Sequence, residues 1–483
     1  MENKEKDEKL EKKEIIDEEL LKEKTKNLSI KEGIHYSVMD GFGLRNISPY
    51  ALALGADNHQ IGLLTSIPSL VGNFSQLFTS RLIEKHPRKK IIFFGILMQA
   101  LMWLPLLFLG YLFFYKNANK QSIILFLIFF YTLITFFGAF ISPAWNSLMK
   151  DVVTKDSGKY FGKRNKILGA VVLVSMLGSG LILNFFKDRN EIFFGFAILL
   201  FIAFISRFVS GRVLLKHYEP PLKIEKGYYF SFIDFVKRFR KNNFGRFTLF
   251  ISLMMLATSI ASPFFTVYML KDLNLNYFAW TLISFASALS TLIFMPFWGK
   301  LIDRFGNLKI LKITGGLIFL VPLLWFLTFF FKGIELNLVV FYLFVIEFFS
   351  GIIWAGFNLT SVTFIYDAVT PQRLSLCVAY YNILGGIGVF LGATLGGMLS
   401  SLKINIFNGT IILLIFLISS FARLLVYLIM IPKIKEVKEK VEEYKKGEIK
   451  KEMKNHLKKE LDNILLPIKF VYNKIDIYPI TKT

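Results

Sequence analysis

Long uncharged blocks alternate along this chain with short segments rich in lysine and arginine. From Ser122 to Met149 the residues run SIILFLIFFYTLITFFGAFISPAWNSLM without one charge, and about 20 such residues in a helix cross the hydrocarbon core of a bilayer. A soluble core helix would keep a polar face, and the period-2 alternation of a membrane barrel strand occurs nowhere. Because every backbone polar group must be satisfied within the bilayer, the blocks predict spanning helices. There are twelve, over residues 34–56, 61–83, 91–115, 122–149, 168–186, 192–214, 248–270, 278–301, 310–331, 338–365, 375–401 and 409–431. The first holds Asp40, Arg45 and Asn46, which belong against protein or water rather than lipid.

Basic residues concentrate in alternate loops. One set carries Arg81, Lys85, Arg88, Lys89 and Lys90, then Lys150, Lys155, Lys159, Lys163, Arg164 and Lys166, then Lys300, Arg304, Lys309 and Lys312; the opposite loops are poor in them. The positive-inside rule therefore predicts an inner (cytoplasmic) membrane protein with both termini in the cytoplasm. Residues 1–33 form a charged Glu/Lys tail without an apolar stripe, expected to be solvated or disordered, and they offer no cleavable signal, so the first span directs insertion. Residues 215–247, the widest gap, separate one six-span unit (34–214) from another (248–431). There Phe230, Ile233, Phe235 and Phe239 alternate with Lys237, Arg238, Arg240 and Lys241, which predicts a helix lying in the membrane interface. The lysine-rich tail 432–483 suits a cytoplasmic helix resting on lipid.

Composition removes several function classes. The net charge of +23 sits beside spans, so anionic lipid, not nucleic acid, is its expected counter-charge. Cys377 is the only cysteine, which excludes an intrachain disulfide and a thiolate metal cluster. There is no Walker A loop, HExxH or G-x-S-x-G elbow, so no enzyme activity, cofactor or metal is expected.

The two units echo each other. Glu84 matches Asp303 (303 − 84 = 219), Asp151 matches Asp367 (367 − 151 = 216), Asn165 matches Asn382 (382 − 165 = 217) and Arg207 matches Arg423 (423 − 207 = 216). Ordered matches at near-constant spacing indicate a parallel duplication. In the second copy Gly299-Lys-Leu-Ile-Asp303-Arg304-Phe-Gly306-Asn-Leu-Lys309 resembles the major facilitator signature G-x-x-x-D-R-x-G-x-x-[RK]; in the first, Ser80, Glu84, Lys85 and Pro87 replace its key residues. PAWNSLMKD, YFGKRN and NFGRF also look like a prokaryotic branch of that superfamily.

The resemblance covers residues 34–431 and implies an all-α integral membrane fold, two pseudo-symmetric six-helix bundles of the major facilitator type. It implies a secondary active transporter of a small solute working by alternating access, with a central cavity lined by helices one, four, seven and ten. A proton gradient is the expected drive, and a lipid translocase or scramblase on the same fold is the alternative. Ionisable groups inside spans mark function, so Asp40, Arg45 and Glu347 are candidates for substrate or proton coupling. Asp40 and Arg45 lie about 140° apart on a regular helix and are expected to need other partners. Asn46, Trp145, Asn146, Trp354 and Asn358 are expected to line the cavity. Gly299, Asp303, Arg304, Gly306, Lys309 and the degraded Glu84 are expected to form a conformational latch, with Gly299 and Gly306 where backbones pass closely. Arg207 and Arg423 are expected to snorkel or cap, and Pro49, Pro68, Pro143, Pro263 and Pro296 to kink their helices. The partners implied are a small-molecule substrate, protons and the lipid bilayer; a monomer suffices.

Overall fold

In the computed structural model the uncharged blocks are helices. The structure describes residues 2–83, 85–221, 232–238, 242–331, 333–402, 411–438 and, near the C-terminus, 452, 453, 455, 456 and 458. The first span is α1 (Glu2–Phe42) continued by α2 (Ile47–Ala53), and the second is α3 (Asn58–Leu82). The third is α4 (Arg88–Leu101) with α5 (Trp103–Lys116); α6 (Lys120–Val152), α7 (Ser157–Lys187) and α8 (Ile192–Leu214) complete the first half. After the short α9 (Phe232–Arg238), the seventh span joins α10 (Asn243–Ser259), α11 (Phe264–Val267) and a π-helical turn, and the eighth is α12 (Tyr277–Phe305). The ninth is α13 (Asn307–Leu317) with α14 (Leu320–Phe326); the last three are α15 (Leu336–Ala368), α16 (Pro371–Ser400) and α17 (Ile411–Met430). Among the described residues ten spans are apolar enough on their own to cross a membrane; the broken, charge-bearing first and the polar-striped α3 complete the twelve.

The duplication extends to irregularities. The first span of each half breaks at Phe42 and Ser259 (259 − 42 = 217), and the third at Leu101 and Leu317 (317 − 101 = 216). Asp57 caps α3 in a capping box, and Asn276 caps α12 at the equivalent place (276 − 57 = 219). Two of the prolines expected to kink helices, Pro49 and Pro263, lie near breaks, whereas Pro68, Pro143 and Pro296 sit within continuous helices.

The halves meet along two seams, α3 on α16 and α7 on α12. A Cβ on Gly62 would stand 2.8 Å from the Ala393 carbonyl and 2.9 Å from Gly397 Cα, so only glycine permits this approach of two backbones. Farther along the same seam Asn382 Nδ2 donates to Gln76 Oε1 at 3.0 Å. At the end away from the two tails, Lys271 Nζ donates to the Ala56 carbonyl at 2.6 Å, tying the seventh span to the first.

Three expectations for the segments outside the spans change. The N-terminal run is helix from Glu2 and continuous with the first span, with Thr25, Ser29 and Glu32 buried. Its docking is polar, which explains why no apolar stripe announced it: Tyr218 N donates to Thr25 Oγ1 at 2.9 Å and Tyr160 Oη to the Lys26 carbonyl at 3.0 Å. In α9, Phe235 is buried against Phe244 and Tyr380, so the helix docks on α10 and α16; Phe230, Phe239, Arg240 and Lys241 lie outside the described residues. In the C-terminal tail, Met453 packs on the apolar cluster of α12, and the His456 ring lies 5.8 and 5.5 Å from those of Phe294 and Phe297. That part packs on protein.

Candidate functional site

The break in the first span builds the site. Where α1 stops, carbonyls lose their helical partners, and Asn46 Nδ2 donates to the Gly41 and Phe42 carbonyls at 3.0 and 3.1 Å. Asn46 is buried and works within the helix rather than lining a cavity as expected. The 3₁₀ turn Leu44–Asn46 also changes the rotation of the chain past the break, so Arg45 Nε comes within 3.4 Å of Asp40 Oδ2. The two side chains expected to need other partners therefore pair, because the helix between them is not regular. With side-chain exposures of 22% for Asp40 and 41% for Arg45, the pair is worth about 0–1 kcal/mol and opens easily.

Beside this turn lies a cavity of about 350 Å³. Leu44, Ile47 and Ser48 form one wall, Thr65, Ser69 and Asn73 of α3 a second, and Tyr131 and Thr135 of α6 a third; Val389 of α16 faces them from the other half. Thr65, Asn73 and Thr135 spend a donor on the carbonyl one turn back, at 3.3, 2.9 and 3.0 Å. Their oxygens remain able to accept. Asp40 stands close enough to Tyr36 and Tyr131 to act on both electrostatically. Sequence reading missed the polar wall of α3, although Thr65, Ser69 and Asn73 recur every four residues on one helical face.

The other candidates are dispersed. Trp325 Nε1 donates to Glu347 Oε1 at 3.0 Å, which holds the carboxylate between α14 and α15 within the second half, away from the cavity wall. Trp145 packs beneath the Arg164 guanidinium at 4.5 Å, and Trp354 stands edge-on to Phe357; neither lines the cavity. Asn146 and Asn358 are exposed on the parts of α6 and α15 nearer the tails. Polar side chains at such places face water more cheaply than lipid.

Buried charge unanticipated from sequence ties the first half together. Glu32 accepts from Ser210 Oγ at 3.0 Å and lies 3.7 Å from both Arg164 and Arg207; Arg207 Nε donates to Gln99 Oε1 at 2.6 Å. Arg207 is thus buried rather than snorkelling. Arg423 reaches the Ile318 and Thr258 carbonyls at 3.2 and 3.4 Å, capping the two broken spans of the second half.

At the signature loop Gly306 has φ +82°, a left-handed turn that favours glycine, whereas a Cβ on Gly299 would meet only Leu359 at an ordinary 3.7 Å. Gly299 is not a point of close backbone passage. Asp303 is 86% exposed and stands 3.7 Å from Lys438; Arg304 pairs with Glu452 at 2.7 Å, and Lys309 Nζ lies over the Phe305 ring at 5.2 Å. Glu84 lies outside the described residues. The tighter device is one the motif did not reveal. Buried Arg88 donates to Asp151 Oδ2 and the Pro220 carbonyl, each at 2.6 Å, while Glu219 accepts from the Arg88 backbone at 2.7 Å. In the second half Asn307 donates to Asp367 at 2.5 Å and Glu436 accepts from Leu308 N at 2.7 Å, at equivalent places (307 − 88 = 219; 436 − 219 = 217).

Two broken six-helix units joined along seams are an arrangement with relatives. The family model described as Major Facilitator Superfamily matches residues 36–363 and 247–468. The chain belongs to the Major Facilitator Superfamily. It is a multi-pass membrane transporter rather than an enzyme, and transporters of this superfamily bind small-molecule substrates. Among solved structures it is similar in fold to the nucleoside transporter NupG (16% identity, TM-score 0.62, 86% of this chain and 100% of that one). It is also similar to a bacterial homologue of the iron transporter ferroportin in an inward-facing state (14%, 0.61, 85% and 98%). A third similar structure is a bacterial homologue of the human lysosomal transporter Spinster, inward-facing and unoccupied (14%, 0.53, 86% and 98%). At these identities the likeness to each is one of fold. No curated protein matches the chain in sequence.

Proposed function

We propose that this superfamily member is a secondary active transporter that moves a small, neutral polar solute by alternating access and couples it to protons through Asp40. One observation carries the reading: a cavity of about 350 Å³ with one polar wall at the break of the first span, where the weak Asp40–Arg45 pair also lies. Its acceptor-rich wall suits a solute bearing O–H or N–H donors. A carboxylate in an easily opened ion pair can take a proton when its arginine turns to another partner, and that exchange links proton and solute. The basic loops support a reading with both tails in the cytoplasm of a cell membrane, and the Lys271–Ala56 bond at the far end supports a cavity that faces that side.

The test is flux into proteoliposomes with and without an imposed pH gradient, using a panel of labelled hydroxylated and amide solutes. Asp40→Asn should abolish gradient-driven accumulation while leaving solute exchange at a substantial fraction of the wild-type rate. Accumulation undiminished in Asp40→Asn would reject the coupling role. Glu347→Gln should keep coupling, since Glu347 is held inside the second half by Trp325.

A further inference from the structure

A second cavity, of about 340 Å³, lies between α4 and α8 on the flank of the first half. Its wall is Phe93, Ile96 and Leu97 from α4, Phe208 and Gly211 from α8 and Leu215 just past it, with Arg212 the one charged side chain among these described lining residues. Neighbouring Phe94, Ile205 and Leu215 are exposed apolar groups, as residues are where a helix faces hydrocarbon. Arg212 occupies the last turn of α8, and its guanidinium lies 4.9 Å over the Phe208 ring at the groove's tail-side end. Lys90, in the first turn of α4, falls on the same helical face as Phe93 and Leu97 (i, i+3, i+7). Both cations are exposed, and neither makes a hydrogen bond or ion pair with any described residue.

We infer that this groove is a binding site for one anionic phospholipid of the leaflet on the side of the two tails, unrelated to the transported solute. The apolar wall takes the start of an acyl chain, and Arg212 and Lys90 flank the mouth at head-group depth, where a phosphate supplies the missing counter-charge. An apolar cleft without those cations would take any lipid; two cations with no anionic partner among the described residues select a negative one. The cavity is far smaller than a whole lipid, so the remaining tail lies along the exposed apolar faces of the same helices.

The inference is tested on the full-length protein purified in detergent and stripped of lipid, by native mass spectrometry with phosphatidylglycerol or phosphatidylcholine of identical acyl chains. The wild type should retain one phosphatidylglycerol several-fold more than phosphatidylcholine. Arg212→Gln with Lys90→Gln should bring the ratio close to one, Arg212→Lys should keep most of the preference, and Leu97→Trp, which fills the groove, should lower retention of both lipids. Equal retention of the two lipids by the wild type, or an unchanged preference in the double glutamine variant, would overturn it. A dimer that Leu97→Trp abolishes would instead make the groove an interface between copies and would also overturn it. Because the readout is binding, it stands or falls independently of proton coupling.

Discussion

His217 lies just past the last turn of α8 and is buried beneath the N-terminal helix, next to the Tyr218–Thr25 hydrogen bond. Burial pushes its pKa down to about 4, and the Arg164 and Lys89 charges act in the same direction. The folded protein thus holds a neutral ring where an exposed histidine protonates near 6.5. The stability that goes with the neutral form is complete above about pH 6.5 and is lost as pH falls from there towards 4. The Tm of the purified protein should therefore drop over that window by a few degrees more in the wild type than in His217→Asn; matching profiles would show that His217 does not govern it. Single residues were only partly legible in the sequence. Asp40 stood out because a carboxylate in a span is costly; it pairs with Arg45, and of the cavity wall it acts electrostatically on Tyr131 without itself lining the space. Asn46 stood out for the same reason yet serves the helix break, since a polar group in a span can satisfy backbone as well as solute.

At the scale of elements, lengths and order were legible, because hydrocarbon thickness sets both. The breaks were not: Arg45 and Asn46 announced a polar stretch in the first span but not a break in its helix, and Arg423 caps the broken second-half spans from a helix more than a hundred residues away. The loop between α12 and α13 separates two roles. Gly306 holds a positive φ, so Gly306→Ala should cost about 1–3 kcal/mol and lower the Tm. Asp303 is largely exposed beside Lys438, so Asp303→Asn should scarcely change the Tm. If Asp303 instead forms charge-assisted hydrogen bonds in the oppositely open state, each worth about 1.5–3 kcal/mol, its loss should raise tail-side accessibility of a cavity cysteine roughly ten-fold and slow turnover. A large fall in Tm with unchanged accessibility would assign Asp303 to folding and remove it from the latch.

At the scale of the whole molecule the far-end seam decides which side the cavity opens to. Gly62 abuts backbone atoms of α16, so Gly62→Leu must push α3 and α16 apart at that end. With Cys377 replaced by alanine, Ser69→Cys should react with a membrane-impermeant thiol reagent from the cytoplasmic side in inside-out vesicles. Adding Gly62→Leu should open reaction from the outside several-fold; reaction from outside alone without that change would reverse the proposed orientation. The amino-acid pattern by itself determined that the chain spans a membrane, how many times, and that its halves are copies, because hydrophobic length and spacing are local properties of sequence. Only the tertiary structure decided that Asp40 meets Arg45, that Glu32 lies between two arginines, that α3 rather than a tryptophan walls the cavity, and that Arg212 lines a groove between α4 and α8. Those facts depend on rotations at helix breaks and on contacts between distant spans; a periodic stripe such as Thr65, Ser69 and Asn73 marks a helix face but not what that face meets.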